Sequence, residues 1–191
     1  MNRKTQKNRG MTYVELIVVL SIFAALSSVV FFNYGDFQDR IDIKNLASDI
    51  ALKVVEAQKS SLDGRWDSHA IVNWKPGYGV YFDIMSNNKQ FIHFVDLNNS
   101  NTYDGGTELL DTVNITKNNY ISRIDSYSAS TPTPIANNLT TTFSRPSSSA
   151  FFQANGSALI SGFDYVQITI ASPRGATALI KIYPSGRVQV N

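Results

Sequence analysis

Residues 16–32 form an uncharged apolar run of seventeen residues, and a single carboxylate, Glu15, lies at its start. A membrane-spanning helix needs about 20 apolar residues, with roughly 17 as the lower limit. Residues 11–14 and 33–35 extend the run to that length. The run therefore predicts a transmembrane helix over residues 11–35. A charge inside such a helix costs about 2.5–3.5 kcal/mol on insertion scales, so we expect Glu15 to have a function.

The first ten residues contain four basic side chains and no acidic one. Because basic flanks stay in the cytoplasm, they predict a cytoplasmic amino terminus and an exported carboxyl-terminal part. Removing these four charges turns the formal net charge of +2 into −2. The remaining chain has no basic stretch that is typical of nucleic-acid binding, so a nucleic-acid partner is not expected.

Two common segment types explain the amino terminus poorly. A secretory signal peptide has a shorter apolar region followed by an A-x-A-like cleavage site, which is not evident here. A plain membrane anchor fits the apolar run but gives Gly10 and Glu15 no role.

A basic leader, then Gly10, Met11 and Thr12, then Glu15 and a long apolar helix, resembles the prepilin signal of type IV pilins and type II secretion pseudopilins. The resemblance implies that residues 1–10 are a leader, which a prepilin peptidase cleaves after Gly10. It also implies methylation of the new amino terminus at Met11, where the family usually has Phe. The protein would lie in the bacterial inner membrane, among membrane lipid, and then enter a pilus or pseudopilus with an inner-membrane assembly platform.

Glu15 has a physical explanation under this resemblance. After cleavage, the Met11 amino group and the Glu15 carboxylate lie four residues apart, about one helical turn. Each group is costly when unpaired in hydrocarbon. Pairing the two groups between neighbouring pilin or pseudopilin subunits removes both costs, so we interpret Glu15 as an assembly residue.

The helix is expected to continue beyond the membrane, because no proline occurs between Met1 and Lys75. Apolar residues follow helical spacing at Ile43, Leu46, Ala47, Ile50, Val54 and Ala57. Gly64 predicts a glycine cap after Leu62. We therefore predict one helix over about residues 12–62, of which residues 36–63 form an amphipathic part whose apolar face belongs to the core.

Residues 64–191 predict a β-rich exported domain. Alternation and turn signals indicate strands at residues 78–83, 90–96, 109–115, 120–124, 151–152, 165–171, 178–183 and 187–190. The first two, the next two and the last two are expected to form hairpins. Residues 126–149, rich in Ser, Thr and Pro, are predicted to be an exposed loop, with a linker as the alternative. One long helix followed by strands predicts an α+β fold with an antiparallel sheet on one helix face.

Patches in the downstream chain are similar to the H-type minor pseudopilins of the GspH/FimT-like group, at residues 46–52, 56–60, 78–82, 94–110 and 185–190. This resemblance implies a pilin-like fold. The chain has no cysteine, whereas many major pilins close a carboxyl-terminal loop with a disulfide. The difference favours a minor pilin or a pseudopilin.

Asp96, Asn98, Ser100, Asp104 and Glu108 place oxygen atoms at positions 1, 3, 5, 9 and 13 of one segment. Calcium loops use positions 1, 3, 5, 7, 9 and 12, with Gly at position 6. Asn101 occupies position 6 here, and Asp104 begins an Asp-Gly-Gly turn. A calcium site and a plain hairpin turn both remain open, and the spacing favours the turn. No other cofactor is expected.

These features predict a structural subunit: a minor pilin or pseudopilin that assembles through its amino-terminal helix. The alternative is a membrane-anchored, exported binding module that does not polymerise and uses its sheet for recognition. An enzyme is not expected, because the sequence shows no acid–base or nucleophile constellation. His69 and His93 are assigned no role.

Overall fold

The computed structural model describes residues 10–70, 75–158 and 162–191. Within these ranges the protein is α+β, with one long helix, α1 (Tyr13–Leu62), and antiparallel strands. The chain divides into two compact units, Met1–Gln38 and Asp39–Asn191, and α1 contributes residues to both. The predicted α+β class and the extent of the helix are therefore confirmed.

The carboxyl-terminal end of α1 is closed by a glycine cap, as predicted. Gly64 has a φ of 61°. Its N–H donates to the Ser61 carbonyl over 3.0 Å, and the Arg65 N–H donates to the Ser60 carbonyl over 3.0 Å. These are the two hydrogen bonds of a Schellman motif. A Cβ atom at Gly64 would collide with the Arg145 guanidinium.

The described strands form two antiparallel sheets after the helix. In chain order the strands are β1 (Gly77–Asp83), β2 (Gln90–Asp96), β3 (Leu109–Asn114), β4 (Tyr120–Ser128), β5 (Thr131–Ile135), β6 (Asn138–Phe143), β7 (Ala150–Ala154), β8 (Ser157–Ala158), β9 (Tyr165–Ala171), β10 (Thr177–Ile182) and β11 (Val188–Val190). Sheet A has the order β3-β2-β1-β6-β7-β8. Sheet B has the order β11-β10-β9-β4-β5.

The predicted apolar face of α1 packs in the core with both sheets. Its most buried members are Ile43, Ala47, Ile50, Val54 and Ala57, each at most 1% exposed. They belong to one apolar cluster with side chains of β1, β2, β6 and β7 in sheet A and of β4, β9 and β10 in sheet B. Fully burying one large aliphatic side chain stabilises a protein by about 1.5–3 kcal/mol. This face therefore fixes the second part of α1 to the sheets.

The predicted hairpin of residues 109–115 with 120–124 is wrong. β3 pairs with β2 in sheet A, whereas β4 pairs with β9 and β5 in sheet B. The Ile115 N–H donates to the Lys89 carbonyl over 2.8 Å, and the Ile121 N–H donates to the Asn88 carbonyl over 2.9 Å. The two segments diverge because each bonds to the turn between β1 and β2 instead of to the other. The expected single sheet is accordingly two sheets.

The predicted exposed loop at residues 126–149 is also wrong, because much of it is strand. β6 pairs with both β1 and β7, and its residues from Leu139 to Phe143 are buried. Three residues of β6 are threonine, which is β-branched and favours strands. The many Ser and Pro residues around them led to the prediction of a loop. β5 contains Pro132 and Pro134 but lies at the edge of sheet B, where a missing N–H is tolerated.

The other predicted hairpins are confirmed. β1 pairs with β2 in antiparallel register, with Val80 opposite His93. β10 pairs with β11 across the turn that contains Gly186, whose φ is 83°. β9 and β7 lie where the sequence placed them.

Candidate functional site

The start of α1 is fixed by a side-chain cap. The Glu15 N–H donates to the Thr12 hydroxyl over 3.2 Å, and the Leu16 N–H donates to the Thr12 carbonyl over 3.1 Å. Thr12 is therefore the N-cap residue of the helix, and it satisfies one of the amide groups that the first turn leaves unpaired. Glu15 lies at the third helical position, where the partial positive charge of the helix end favours an acidic side chain.

The predicted processing and assembly residues are neighbours at this helix start. Gly10 and Met11 precede the helix in extended or irregular backbone, and both are exposed. Met11 is 65% exposed. Glu15 is exposed as well, and its carboxylate has no hydrogen-bond or ion-pair partner within the described part of the chain. The leader predicted at residues 1–10 lies outside the described residues except for Gly10.

The first part of α1 is long and apolar enough to cross a membrane. It contains a window of 18 residues with that composition, none of which is buried. Large apolar side chains such as Leu20, Phe23 and Leu26 are more than half exposed. An apolar surface of this size needs a partner or a lipid environment.

Asp96, the first of the five predicted oxygen ligands, lies at the end of β2 and is fully buried. Its carboxylate accepts hydrogen bonds from the backbone N–H groups of Ser100, over 3.1 Å, and Asn101, over 2.9 Å. Burial raises the pKa of Asp96 above its ordinary value, and these N–H donors lower it in part. Asp96 therefore holds the first residues of the connection between β2 and β3 in place by binding their backbone N–H groups.

Glu108 closes the same connection from the other end. Its carboxylate accepts hydrogen bonds from the N–H groups of Leu97, over 3.2 Å, and Asp104, over 2.9 Å. The Asp104 carboxylate accepts bonds from the Asn98 amide, over 2.8 Å, and the Ser100 hydroxyl, over 2.9 Å. Burial raises the pKa of Glu108, against the lowering effect of the two N–H donors.

The structure thus brings the five predicted ligand residues together, with hydrogen-bond donors of the loop itself on their carboxylates. Among the described residues, no three His, Cys, Asp or Glu side chains are grouped as one metal ion would require. The carboxylates of Asp96, Asp104 and Glu108 are the kind of oxygen ligand that a hard cation takes, but they are not arranged as such a group. Calcium binding at this loop stays a prediction.

The loop between β2 and β3 covers the side of sheet A that does not face the helix. The Tyr103 ring lies 5.5 Å from the Tyr81 ring and 5.6 Å from the Phe94 ring, between centroids. The side chains of Thr142 and Gln153 donate to carbonyl groups of the loop over 3.0 and 2.9 Å. The loop therefore acts as an outer layer of the domain, which its turn-like sequence did not indicate.

His93 lies on the helix-facing side of sheet A and is 3% exposed. Its Nε2 atom has no hydrogen-bond partner in the described part of the chain. Burial lowers the pKa of His93, while the carboxylates of Glu56 and Asp111 oppose that shift and Lys53 adds to it. His69 is exposed and forms a 3.0 Å contact between its Nδ1 atom and Asp67.

Comparisons with family models, with curated proteins and with solved structures give no match.

Sequence reasoning included Thr12 in the prepilin-like signal but missed its role as the cap of the helix. The signal was present, because a Thr followed three residues later by Glu, just before an apolar run, is the pattern of a capping box. Gly10, Met11 and Glu15 came from the resemblance to the prepilin signal, and their processing and assembly roles stay predictions.

Proposed function

We propose that the protein is a minor pilin or pseudopilin, a non-enzymatic subunit that is processed by a prepilin peptidase and assembled into a type IV pilus or a type II secretion pseudopilus. The observation that carries the proposal is the start of α1. A capped helix begins two residues after Met11 and has an exposed, unpaired carboxylate at Glu15. Its next turns are apolar and unburied.

The proposed assembly contact joins two groups that are costly alone in hydrocarbon. Cleavage after Gly10 would create an amino group on Met11, next to the helix start. Within one chain this amine and Glu15 both lie at the same helix end. Pairing the Met11 amine of one subunit with Glu15 of a neighbour neutralises both charges and sets the axial position of one helix against the next.

The location and the partners that we propose for the subunit are consistent with this contact. The apolar part of α1 anchors the subunit in the bacterial inner membrane before assembly, with the amino terminus in the cytoplasm and residues 39–191 exported. Its partners are other pilin or pseudopilin subunits, the peptidase, membrane lipid and the inner-membrane assembly platform. The face of α1 that begins at Ile43 is buried in the domain core. The first turns of the helix are not part of that face, so they are available for assembly.

Replacement of Glu15 tests the proposal. In cells that assemble the filament, Glu15→Leu should still insert into the membrane, because the substitution removes a charge from an apolar segment. It should be lost from sheared filaments. Ser21→Leu is the matched control, since it changes an exposed polar residue of the same helix to the same residue and leaves the carboxylate in place. Glu15→Leu protein that enters filaments as well as Ser21→Leu would contradict the proposal and favour a membrane-anchored binding module.

A further inference from the structure

The exported part of α1 has a second stripe, opposite the face that is buried in the core. We call it the outer stripe; its members are Ile41, Asn45, Ser48, Leu52, Val55, Lys59 and Leu62. All seven side chains are exposed, and the four large apolar ones are between 38% and 65% exposed. The stripe extends over about 32 Å of helix at 1.5 Å per residue.

The spacing of the outer stripe is that of a helix-pairing surface. Its members are alternately four and three residues apart over the whole length. This repeat of 3.5 residues keeps a stripe facing one partner helix in a left-handed coiled coil. In heptad notation Ile41, Ser48, Val55 and Leu62 are d positions, and Asn45, Leu52 and Lys59 are a positions. Polar residues at a positions weaken such a pair and fix its register.

The charges beside the stripe are sorted by side. Within α1 the e positions carry Asp42, Asp49 and Glu56, which are all acidic. The g positions carry Lys44, Ala51 and Gln58, none of which is acidic. A parallel pair brings each g residue to the e residue five positions later in the other helix, whereas an antiparallel pair brings e against e. The antiparallel arrangement would therefore oppose three acids with three acids, and the parallel one would not.

One complementary contact is available without breaking an existing one. Asp42 already pairs with Lys117, and Glu56 with Lys53. Lys44 and Asp49 make no ion pair within the described part of the chain. In a parallel pair Lys44 of each helix lies beside Asp49 of the other, which gives two equivalent attractive contacts by symmetry.

We infer that the outer stripe is the docking surface for the same stripe of a second copy of this chain, as a parallel, in-register helix pair. The inference deepens the proposed function and rests on it for the orientation, because helices anchored in one membrane run in the same direction. It concerns a contact of the exported part of α1, which is separate from the contact of Glu15 with Met11. The occupant is a second copy, since Lys44 of one helix then faces Asp49 of the other and the row of acidic e residues does not face itself.

Disulfide trapping in membranes that contain the full chain tests the inference, and the chain has no cysteine that would interfere. Single cysteines are placed at Ile41, Val55 or Leu62, which are d positions near the start, middle and end of the stripe. A parallel, in-register pair predicts disulfide-linked dimers from all three variants. Met85→Cys is the control, because Met85 is 77% exposed and lies in the turn after β1, outside the outer stripe. It should give several-fold less dimer.

The outcomes separate the possible occupants. Dimers from Val55→Cys without dimers from Ile41→Cys and Leu62→Cys would indicate an antiparallel or shifted pair and would overturn the inference. Equal dimer formation by Met85→Cys, no dimer from any stripe variant, or adducts with another protein only, would also overturn it.

A charge exchange tests the proposed contact between Lys44 and Asp49. In the Val55→Cys background, Lys44→Glu and Asp49→Lys should each lower the dimer yield, roughly two- to fivefold for exposed ion pairs. The double variant should restore it, because each new Glu then faces a new Lys. Unchanged yield in the single variants, or no recovery in the double variant, would contradict the inference.

The same trapping with Glu15→Leu keeps this inference distinguishable from the proposed function. Dimers that persist in Glu15→Leu while filament incorporation is also normal would support the outer stripe and contradict the assembly role of Glu15. Filament loss in Glu15→Leu without dimers from the stripe cysteines would support the role of Glu15 and overturn the stripe.

Discussion

The backbone N–H of Glu15 donates to the Thr12 hydroxyl over 3.2 Å, while the Glu15 carboxylate stays exposed and without a partner in the described chain. Thr12 therefore starts the helix, and the carboxylate that begins the apolar run remains available. The backbone of Glu15 contributes to the stability of the helix start, and its side chain is free to make the assembly contact that we propose. Substitutions at the two positions should have different effects.

Thr12→Ala should loosen the first turn of α1 and leave the rest of the chain folded. Loss of a threonine N-cap costs about 1 kcal/mol, which corresponds to roughly fivefold faster local opening. Hydrogen exchange of the Glu15 and Leu16 amides, measured in detergent micelles, reports this change. Thr12→Ser keeps the hydroxyl and should exchange like the unmodified chain. Equal protection in Thr12→Ala would show that the hydroxyl does not cap the helix.

Gly64→Ala should destabilise the exported part of the protein by about 1 kcal/mol, because a residue with a Cβ is strained at a φ of 61°. The Cβ would also displace the Arg145 guanidinium. Denaturant unfolding of the purified chain measures the loss. Gly64→Asn is the comparison, since Asn tolerates this backbone conformation better than Ala does. Equal stability of Gly64→Ala and the unmodified chain would contradict the cap.

The sequence was sufficient for the elements whose signals are local. The helix limits followed from the apolar spacing and from Gly64, and the β1–β2 and β10–β11 hairpins followed from alternation around polar turns. The strands that β3 and β4 pair with could not be predicted from the sequence. They depend on which backbone N–H groups bond to the carbonyl groups of Lys89 and Asn88. β6 was missed because threonine occurs in both loops and strands. The segment is a strand because it pairs with β1 on one side and with β7 on the other.

The candidate site divides in the same way. Gly10, Met11 and Glu15 lie within six consecutive residues, so the resemblance to a short signal indicated them, and their roles stay predictions. The residues from Asp96 to Glu108 were recognised as an oxygen-rich segment. That this segment covers sheet A depends on the packing of Tyr103 against Tyr81 and Phe94. Neither contact is between residues close in sequence, so local patterns did not indicate it.

Acidification should weaken the packing of α1 on sheet A through His93. Burial lowers the pKa of His93 in the folded protein below its unfolded value of about 6.5. The unfolded state then binds the proton more tightly, so the stabilisation is present above about pH 6.5 and is lost as the pH falls toward the folded pKa. The melting temperature should fall between pH 7.5 and 5, and it should fall less in His93→Leu. The same pH dependence in both proteins would contradict this.

The connection between β2 and β3 should fold without calcium, because N–H donors of the loop already occupy the carboxylates of Asp96 and Glu108. The melting temperature of the protein should then differ by less than about 2 °C between excess calcium and excess chelator. Glu108→Gln is the control variant. A larger rise with calcium that Glu108→Gln abolishes would instead establish a calcium site at this loop.

The amino terminus of the protein purified from its native membrane shows whether the Met11 amine that we propose as the partner of Glu15 is formed. Cleavage after Gly10 must precede any pairing of the Met11 amine with Glu15. Mass spectrometry of the intact protein and of its amino-terminal peptide should therefore show a mature chain that begins at Met11 and carries one additional methyl group on its amine. A chain that retains residues 1–10 would contradict the account, because the proposed partner of Glu15 would then not exist.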